Sequence, residues 1–546
     1  MPMKRALLKL AALAALASCA GSAADPSTTD AGHGDALRAD SITVDTAPGA
    51  DAGASSDALV DASPGASDAG GDADSAPHDA APLPQATPIP WSGTAPPGSG
   101  GPWAPVPFAG SAPPQHPHMA PNGQSNIHND GWMTDAYDGP GPLASSPTTA
   151  SSQLGGLCGT ITFDSHGRIV TVCLGLGTAT LWLLDPATLA PLASFELPPR
   201  PAAEPGTNPL QDYTGGGYFF LDAEDRAVVS TGQQTVVWIA QVEGPEGIRL
   251  EQVRSVDLSA ALGDGERLTG VLPDWSGRLW FVGKKRGVIG VVDGEAITTL
   301  VLDEPVQNSF AVDEDGVYVV SDVALYRLDA PPGGAPAVTW REVYANTGVK
   351  KPGQADAGSG TTPTLLEGGL VAITDNADPM QVVVYQRATT ASPRKVCEVP
   401  VFPAGGGATE NSLVASGRSL FVENNHGYEG FSDVAAGTTL PGFARVDVRP
   451  DTSGCDLIWE TAAVSAPSVV PKLSRTTGLL YTYTKAPDSP GWYWTALDAA
   501  TGDVAWQVLA GTGAAYNNNY AGMALGPDGA ATLGVLVGVI RLADGP

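Results

Sequence analysis

The stretch Trp492 to Leu542, WYWTALDAATGDVAWQVLAGTGAAYNNNYAGMALGPDGAATLGVLVGVIRL, decides how the rest of the chain is read. It predicts a strand over Tyr493 to Leu497, a tight turn over Asp498 to Asp503 and a returning strand over Val504 to Leu509. The Asp498 carboxylate can accept N–H groups within the turn, and Gly502 supplies the positive φ such a turn needs. Trp506 then falls on an outer strand, where a large ring can cover apolar surface between neighbouring sheets. Worn copies of the same turn run from Asp185 to Phe195, from Asp329 to Trp340 and from Asp447 to Trp459. The chain is therefore built from repeats.

A second pattern is more regular: an apolar run, a tight polar turn, and another apolar run. It recurs at Phe163 to Val170, Leu221 to Val229, Pro273 to Phe281, Val312 to Val320, Leu366 to Ile373, Val414 to Val422, Ser474 to Tyr483 and Gly526 to Gly534. Such hairpins, roughly 40 to 60 residues apart, have the period of a four-stranded propeller blade. The expected fold is all-β, a single eight-bladed β-propeller, with seven blades as the alternative. The last copy runs out of chain near Leu542 after three strands, so a strand near Leu143 to Leu154 should complete that blade and remove the exposed edges. The pattern Ala496-Leu-Asp-Ala-Ala-Thr-Gly502, with Trp506 four residues on, resembles the repeat of PQQ-type, quinoprotein alcohol dehydrogenase-like propellers. That resemblance implies the scaffold.

Four segments follow from composition. Residues 1–18 carry Lys4, Arg5 and Lys9 before a short apolar run, Leu10 to Leu16, the pattern of an export signal peptide. The ending Leu16-Ala-Ser-Cys19 resembles the bacterial lipobox, which implies cleavage before Cys19, lipidation of that cysteine and, with Ala20 and Gly21 following, an outer-membrane anchor, periplasmic or surface-exposed. Residues 19–90 hold twelve aspartates against the single Arg38 and no aromatic residue, so they cannot bury a core. They are expected to form a disordered tether spanning roughly 45 Å or more. Residues 91–142 are rich in Pro and Gly but also in aromatic and amide side chains, and are expected to be an irregular lead-in packed on the propeller of residues 143–546. This lead-in and YNNNYAG near the C-terminus resemble uncharacterised secreted bacterial proteins over most of residues 115–546, a likeness that brings no activity.

The net charge is −30, about −22 of it on the part expected to fold. That sign repels phosphate backbones, so no nucleic-acid partner is expected. Of the five cysteines, Cys158 and Cys173 fall opposite one another if Asp164 to Gly167 turns the first hairpin, which predicts a cross-strand disulfide in an exported protein. Cys397 and Cys455, in the outermost strands of consecutive blades, are the expected second pair.

Links that lead into inner strands, and those between second and third strands, share one face of a propeller. They carry Gln307, Asn308, Thr361, Thr362, Glu410, Asn411 and Tyr516 to Tyr520 at the first kind of position, including Asn517, Asn518 and Asn519. Asp375, Asn376, Asp378, Glu423, Asn424, Asn425, His426 and Glu429 lie at the second. Asn, Asp and Gly crowd loops for turn geometry alone. Read as a site, however, this rim offers oxygen donors, with Glu410 and Glu423 as ligands for a calcium-like cation. The set is similar to the Glu, Asn and Asp ligands of metal-dependent propeller lactonases and to the calcium ligands of quinoprotein dehydrogenases. His116, His118 and His128, with Asp130 or Asp135 nearby, lack the regular spacing of a zinc motif. PQQ is not expected, because the adjacent cysteines of that family are absent and only one repeat carries its full motif. No HExxH, GxSxG, Walker loop or CxxCH occurs.

The expected role is a tethered module whose propeller face binds an envelope protein, a glycan or a small ligand, as eight-bladed lipoproteins of outer-membrane protein assembly do in a similar setting. A metal-dependent, lactonase-like hydrolase or a quinoprotein-type oxidoreductase is the alternative. Cys19→Ala should leave the chain unprocessed or release it from the membrane fraction; unchanged processing and fractionation would contradict the anchor.

Overall fold

The computed structural model describes residues 85–202, 212–245, 247–430 and 437–545. The expected signal segment, Cys19 and the tether up to residue 84 lie outside the described residues. The described chain is nearly all β and forms an eight-bladed propeller. Seven blades are four-stranded antiparallel sheets made of consecutive strands: residues 157–196, 219–257, 268–301, 311–343, 364–400, 414–461 and 472–512. All eight expected hairpins form the inner two strands of a blade.

The eighth blade closes the ring. Its inner three strands come from the C-terminus, Met523–Leu525, Ala531–Val535 and Gly538–Ala543, and its outermost strand is Thr148–Gln153. Thr148 lies opposite Ala543 and Gln153 opposite Gly538, so the two ends of the propeller are tied by one antiparallel ladder. Closure of this kind leaves no ring edge to pair with another chain.

The recurring hairpin turn has a local cause. In the first three blades Asp164, Asp222 and Asp274 each accept the N–H groups two and four residues on. The second carboxylate oxygen takes the side chain of Arg168, Arg226 or Arg278 at 2.6 to 2.8 Å. One side chain thus satisfies the turn and is itself neutralised. Blade-to-blade cover comes from the outer tryptophans: Trp340 donates to the Arg387 carbonyl of the next blade and stacks under Arg394, and Trp459 donates to the Ala499 carbonyl. Gly502, at φ 80°, lies against the Trp459 ring, where a Cβ would come within 2.7 Å of it.

Both disulfides form as expected, Cys158 to Cys173 and Cys397 to Cys455. The first register differs in detail. Phe163 pairs with Ile169 rather than Arg168, because the turn is one residue longer, and a bulge between Cys158 and Ile161 restores the cysteine pairing. Disulfides belong to an oxidising, extracytoplasmic compartment. Among the described residues no helix is long and apolar enough to cross a membrane.

The lead-in does more than pack on the propeller. Ile89, placed in the tether by composition, is buried, with its carbonyl accepting the Tyr516 hydroxyl, so ordered chain begins before residue 91. Gly98–Gly100 adds a strand outside Val504–Thr512, and Ala136–Tyr137 adds a parallel one inside Lys472–Ser474. Between them residues 116–137 run through the axis as a plug. Carbonyls of Gln124, Ser125, Gly131, Trp132, Thr134, Asp135 and Tyr137 accept N–H groups from inner strands of the first, second, fourth, fifth, sixth and seventh blades. The His116 ring packs on Trp275 of the third blade at 4.1 Å, and Ile127 fits against Gly522 of the eighth, where any Cβ would collide with it. Lys472 and Asp135 form an ion pair with no exposure at all, and Lys472 also donates to the Ile127 carbonyl.

Removing one partner of a buried pair costs about 3–5 kcal/mol, so Lys472→Met should lower the melting temperature strongly. A chain starting at residue 85 should melt as the full chain does, and one starting at residue 155, without plug and closing strand, should melt far lower. Equal melting of the two truncations would contradict this account.

Candidate functional site

The plug sits toward the hairpin-turn ends of the inner strands and leaves the opposite end of the axis open. The result is a narrow blind funnel with a cavity volume of about 50 Å³. Its floor is Ile127, His128 and Val470. The walls come from links that precede inner strands: Tyr213 and Tyr218, Gln307 and Asn308, Thr362, Glu410 to Ser412, and Tyr520, joined by Lys284 and by Asp356 of the long link between the fourth and fifth blades.

The wall is cross-braced. The Tyr218 hydroxyl donates to Asn308 Oδ1 at 3.3 Å, Tyr213 to the Asn519 carbonyl, and Tyr520 to the Gly353 carbonyl at 2.9 Å. Gln307 donates to Asp322 at 3.3 Å, and burial pushes that carboxyl up to about 6. Glu410 accepts the Ala355 N–H at 2.7 Å, but burial outweighs this bond and, with Asp356 nearby, pushes its carboxyl up to about 8. At neutral pH the wall therefore presents a protonated acid.

Of the residues expected on this rim, Gln307, Asn308, Thr362, Glu410, Asn411 and Tyr520 line the funnel; the others are not part of its lining. Asn424 and Asn425 cap loops: Asn424 Oδ1 accepts the Ala408 and His426 N–H groups, and Asn425 Oδ1 accepts that of Glu410. Asp375 likewise accepts N–H groups of Ala377 and Gln381, and Asn376 donates to Asn346 at 2.9 Å. Asn517 and Asn519 accept the Tyr428 hydroxyl and Asn518 accepts that of Ser468. His426 is half-buried, and burial lowers its imidazole.

Glu410 and Glu423 do not share a site. Glu423 is buried behind the wall, where Asn411 and Asn425 turn their amide NH₂ groups toward its Oε1. A hard cation wants oxygen facing it, whereas the amides here present N–H to the carboxylate. Among the described residues no three His, Cys, Asp or Glu side chains are grouped to hold a metal. Tyr213, Tyr218, Lys284, Asp356 and Ser412 line the funnel without having been singled out in the sequence, and His128 was weighed there only as a zinc ligand. Their one signal was position, since Tyr213 and Tyr218 precede an inner strand as the rim residues do.

No protein-family profile matches the chain. An uncharacterized protein of Archaeoglobus fulgidus is 29% identical over 322 residues, covering 51% of this chain and 61% of its own length. The chain thus spans about three fifths of that relative. Among solved structures, a quinohemoprotein alcohol dehydrogenase from Pseudomonas putida is similar with a TM-score of 0.49 and 11% identity, covering 77% of this chain and 76% of its own. Chaetomium thermophilum Sqt1, solved with the N-terminus of ribosomal protein L10, gives 0.46 and 10%, covering 69% and 94%. Likenesses this distant say nothing of activity.

Burial pushes the Glu423 carboxyl up to about 8 from an ordinary 4.5. The folded state therefore keeps a proton that the unfolded state has released, and stability falls as pH rises from about 4.5 to about 8. Glu423→Gln should remove that decline, matching the parent protein near pH 4 and melting higher than it at pH 9. A variant that melts lower at pH 9 would contradict the assignment.

Proposed function

We propose that this chain is an envelope protein, lipid-anchored through Cys19, that binds a small hydroxyl-rich ligand, a glycan end, in the axial funnel. The observation that carries the reading is the blind funnel itself, with tyrosines interleaved among amide, hydroxyl and carboxyl groups. Pockets for small ligands combine apolar or aromatic walls with a few placed polar groups, and this wall has both. Tyrosine faces cover the C–H side of a sugar ring, while their hydroxyl oxygens, which already donate within the wall, can still accept from a ligand hydroxyl. The protonated Glu410 adds a donor to a wall otherwise rich in acceptors. An acidic protein surface does not oppose a neutral ligand.

Calorimetric titration with a panel of neutral mono- and oligosaccharides tests this. Binding should weaken at least tenfold in Tyr218→Ala. It should also weaken above about pH 8, where Glu410 ionises and can no longer donate, a dependence that Glu410→Gln should flatten. A panel in which nothing binds, or binding that neither substitution alters, would overturn the reading.

A further inference from the structure

We propose that the funnel floor is an acyl-ester hydrolysing centre, with Ser412 as nucleophile, His128 as general base and Asp135 as the residue that positions the imidazole. The proposal rests on the funnel being the ligand site, and its substrate is a short O-acyl ester of the hydroxyl-rich ligand.

The geometry lies at the junction of plug and ring. His128 Nδ1 lies 2.9 Å from Asp135 Oδ2, so Nδ1–H donates to the carboxylate and Nε2 is left as an acceptor. Nε2 faces Ser412 Oγ at 3.5 Å, a separation of the kind that tightens when substrate is bound. Both side chains line the funnel, although each is more than nine-tenths buried. The Thr362 N–H donates to Ser412 Oγ at 3.0 Å, which fixes the position of the hydroxyl oxygen and leaves its own hydrogen to point at the imidazole. Lys472 holds the other oxygen of Asp135, so the positioning carboxylate stays paired although neither side chain is exposed. Nucleophile, base and orienting acid are thus linked in the order such chemistry requires, and this is recognised by geometry rather than by sequence position. A purely structural Asp135–Lys472–His128 network would be complete without a hydroxyl on the cavity side of the ring. The floor beside Ser412, formed by Ile127 and Val470, is small and apolar and suits a short acyl group.

The reaction balances without a redox partner. Ser412 Oγ bonds to the ester carbonyl carbon as its proton passes to His128 Nε2; the bond to the alcohol oxygen then breaks, and the alcohol leaves with that proton. Water attacks the acyl carbon, giving its proton to His128, and the carboxylic acid departs as Ser412 Oγ regains the proton. Ester and water become acid and alcohol.

The full-length protein would be treated with a fluorophosphonate probe and mapped by peptide mass, and assayed with p-nitrophenyl acetate. The adduct is expected on Ser412, and Ser412→Ala should lose it and lower ester hydrolysis at least a hundredfold while keeping the melting temperature. His128→Gln should slow labelling comparably. Asp135→Asn should also slow labelling, and because it leaves Lys472 without its ion-pair partner it is compared with the parent well below the melting temperature of both. Should Ser412→Ala misfold, Ser412→Cys gives a second reading, because iodoacetamide should alkylate that thiol faster with His128 present than in His128→Gln. Absence of a Ser412 adduct, wild-type hydrolysis by Ser412→Ala, or alkylation indifferent to His128 would each overturn the centre. Saccharide binding without labelling would reject the centre and keep the ligand reading; labelling without saccharide binding would reject the ligand and the ester class named here.

Discussion

The structure depends on a plug that satisfies the backbone of the ring it fills. In a bare eight-bladed ring the innermost strands turn unpaired N–H groups toward a channel too wide for their own side chains to close. Unpaired backbone groups away from water are costly, and here carbonyls of residues 124–137 accept them blade after blade. The same segment brings Asp135 to Lys472. Neither charge would be tolerable alone at zero exposure, so the plug and the seventh blade each make the other's ionised residue admissible. The stretch just before the first blade therefore serves twice, as closing strand through Thr148–Gln153 and as axial filler through residues 116–137.

From the plug follows the chemistry of the axis. Filling one end converts a channel into a funnel with a floor, and the floor excludes water from the side chains around it. Glu410 and Glu423 are both pushed to about 8, and Asp130, beside Thr134, to about 7, in each case chiefly by burial. The acidic surface and the acidic axis are thus different in kind. Carboxylates on the exterior keep the protein apart from polyanions, whereas at the axis burial favours the protonated form of Glu410, Glu423 and Asp130, and Asp135 is held as a carboxylate by Lys472.

Much of this was legible in the sequence, for local reasons. Each hairpin turn is built by residues within five positions of one another, such as Asp164 and Arg168, so repeat count, inner strands and blade boundaries could be read directly. Ring closure was legible because the final copy, ending near Leu542, lacks one strand. The Cys158 to Cys173 pairing emerged although the turn was one residue longer than expected, because a bulge offset it. The rim was legible only as a set. Loop position marks Asn308 and Asn424 alike, yet Asn308 faces the funnel and Asn424 spends its amide on the backbone of its own loop and of Gly406. Turn capping and ligand binding draw on the same residue types, and no local pattern separates them.

The plug was the least legible element, since it has almost no regular structure. Its histidines and aspartates were visible, but zinc spacing was the wrong template for them. His128 meets Asp135 seven residues on and Ser412 from the sixth blade, 284 positions away, and Asp135 in turn meets Lys472 from the seventh. Such a constellation has no spacing to find, because the separation between His128 and Ser412 records only how many blades the chain winds before it returns to the axis. A propeller brings the start of every inner strand to one circle, so any plug residue at the centre can reach a side chain from any blade. Chemistry assembled there is set by ring closure, and it becomes readable only once the axial segment is threaded through.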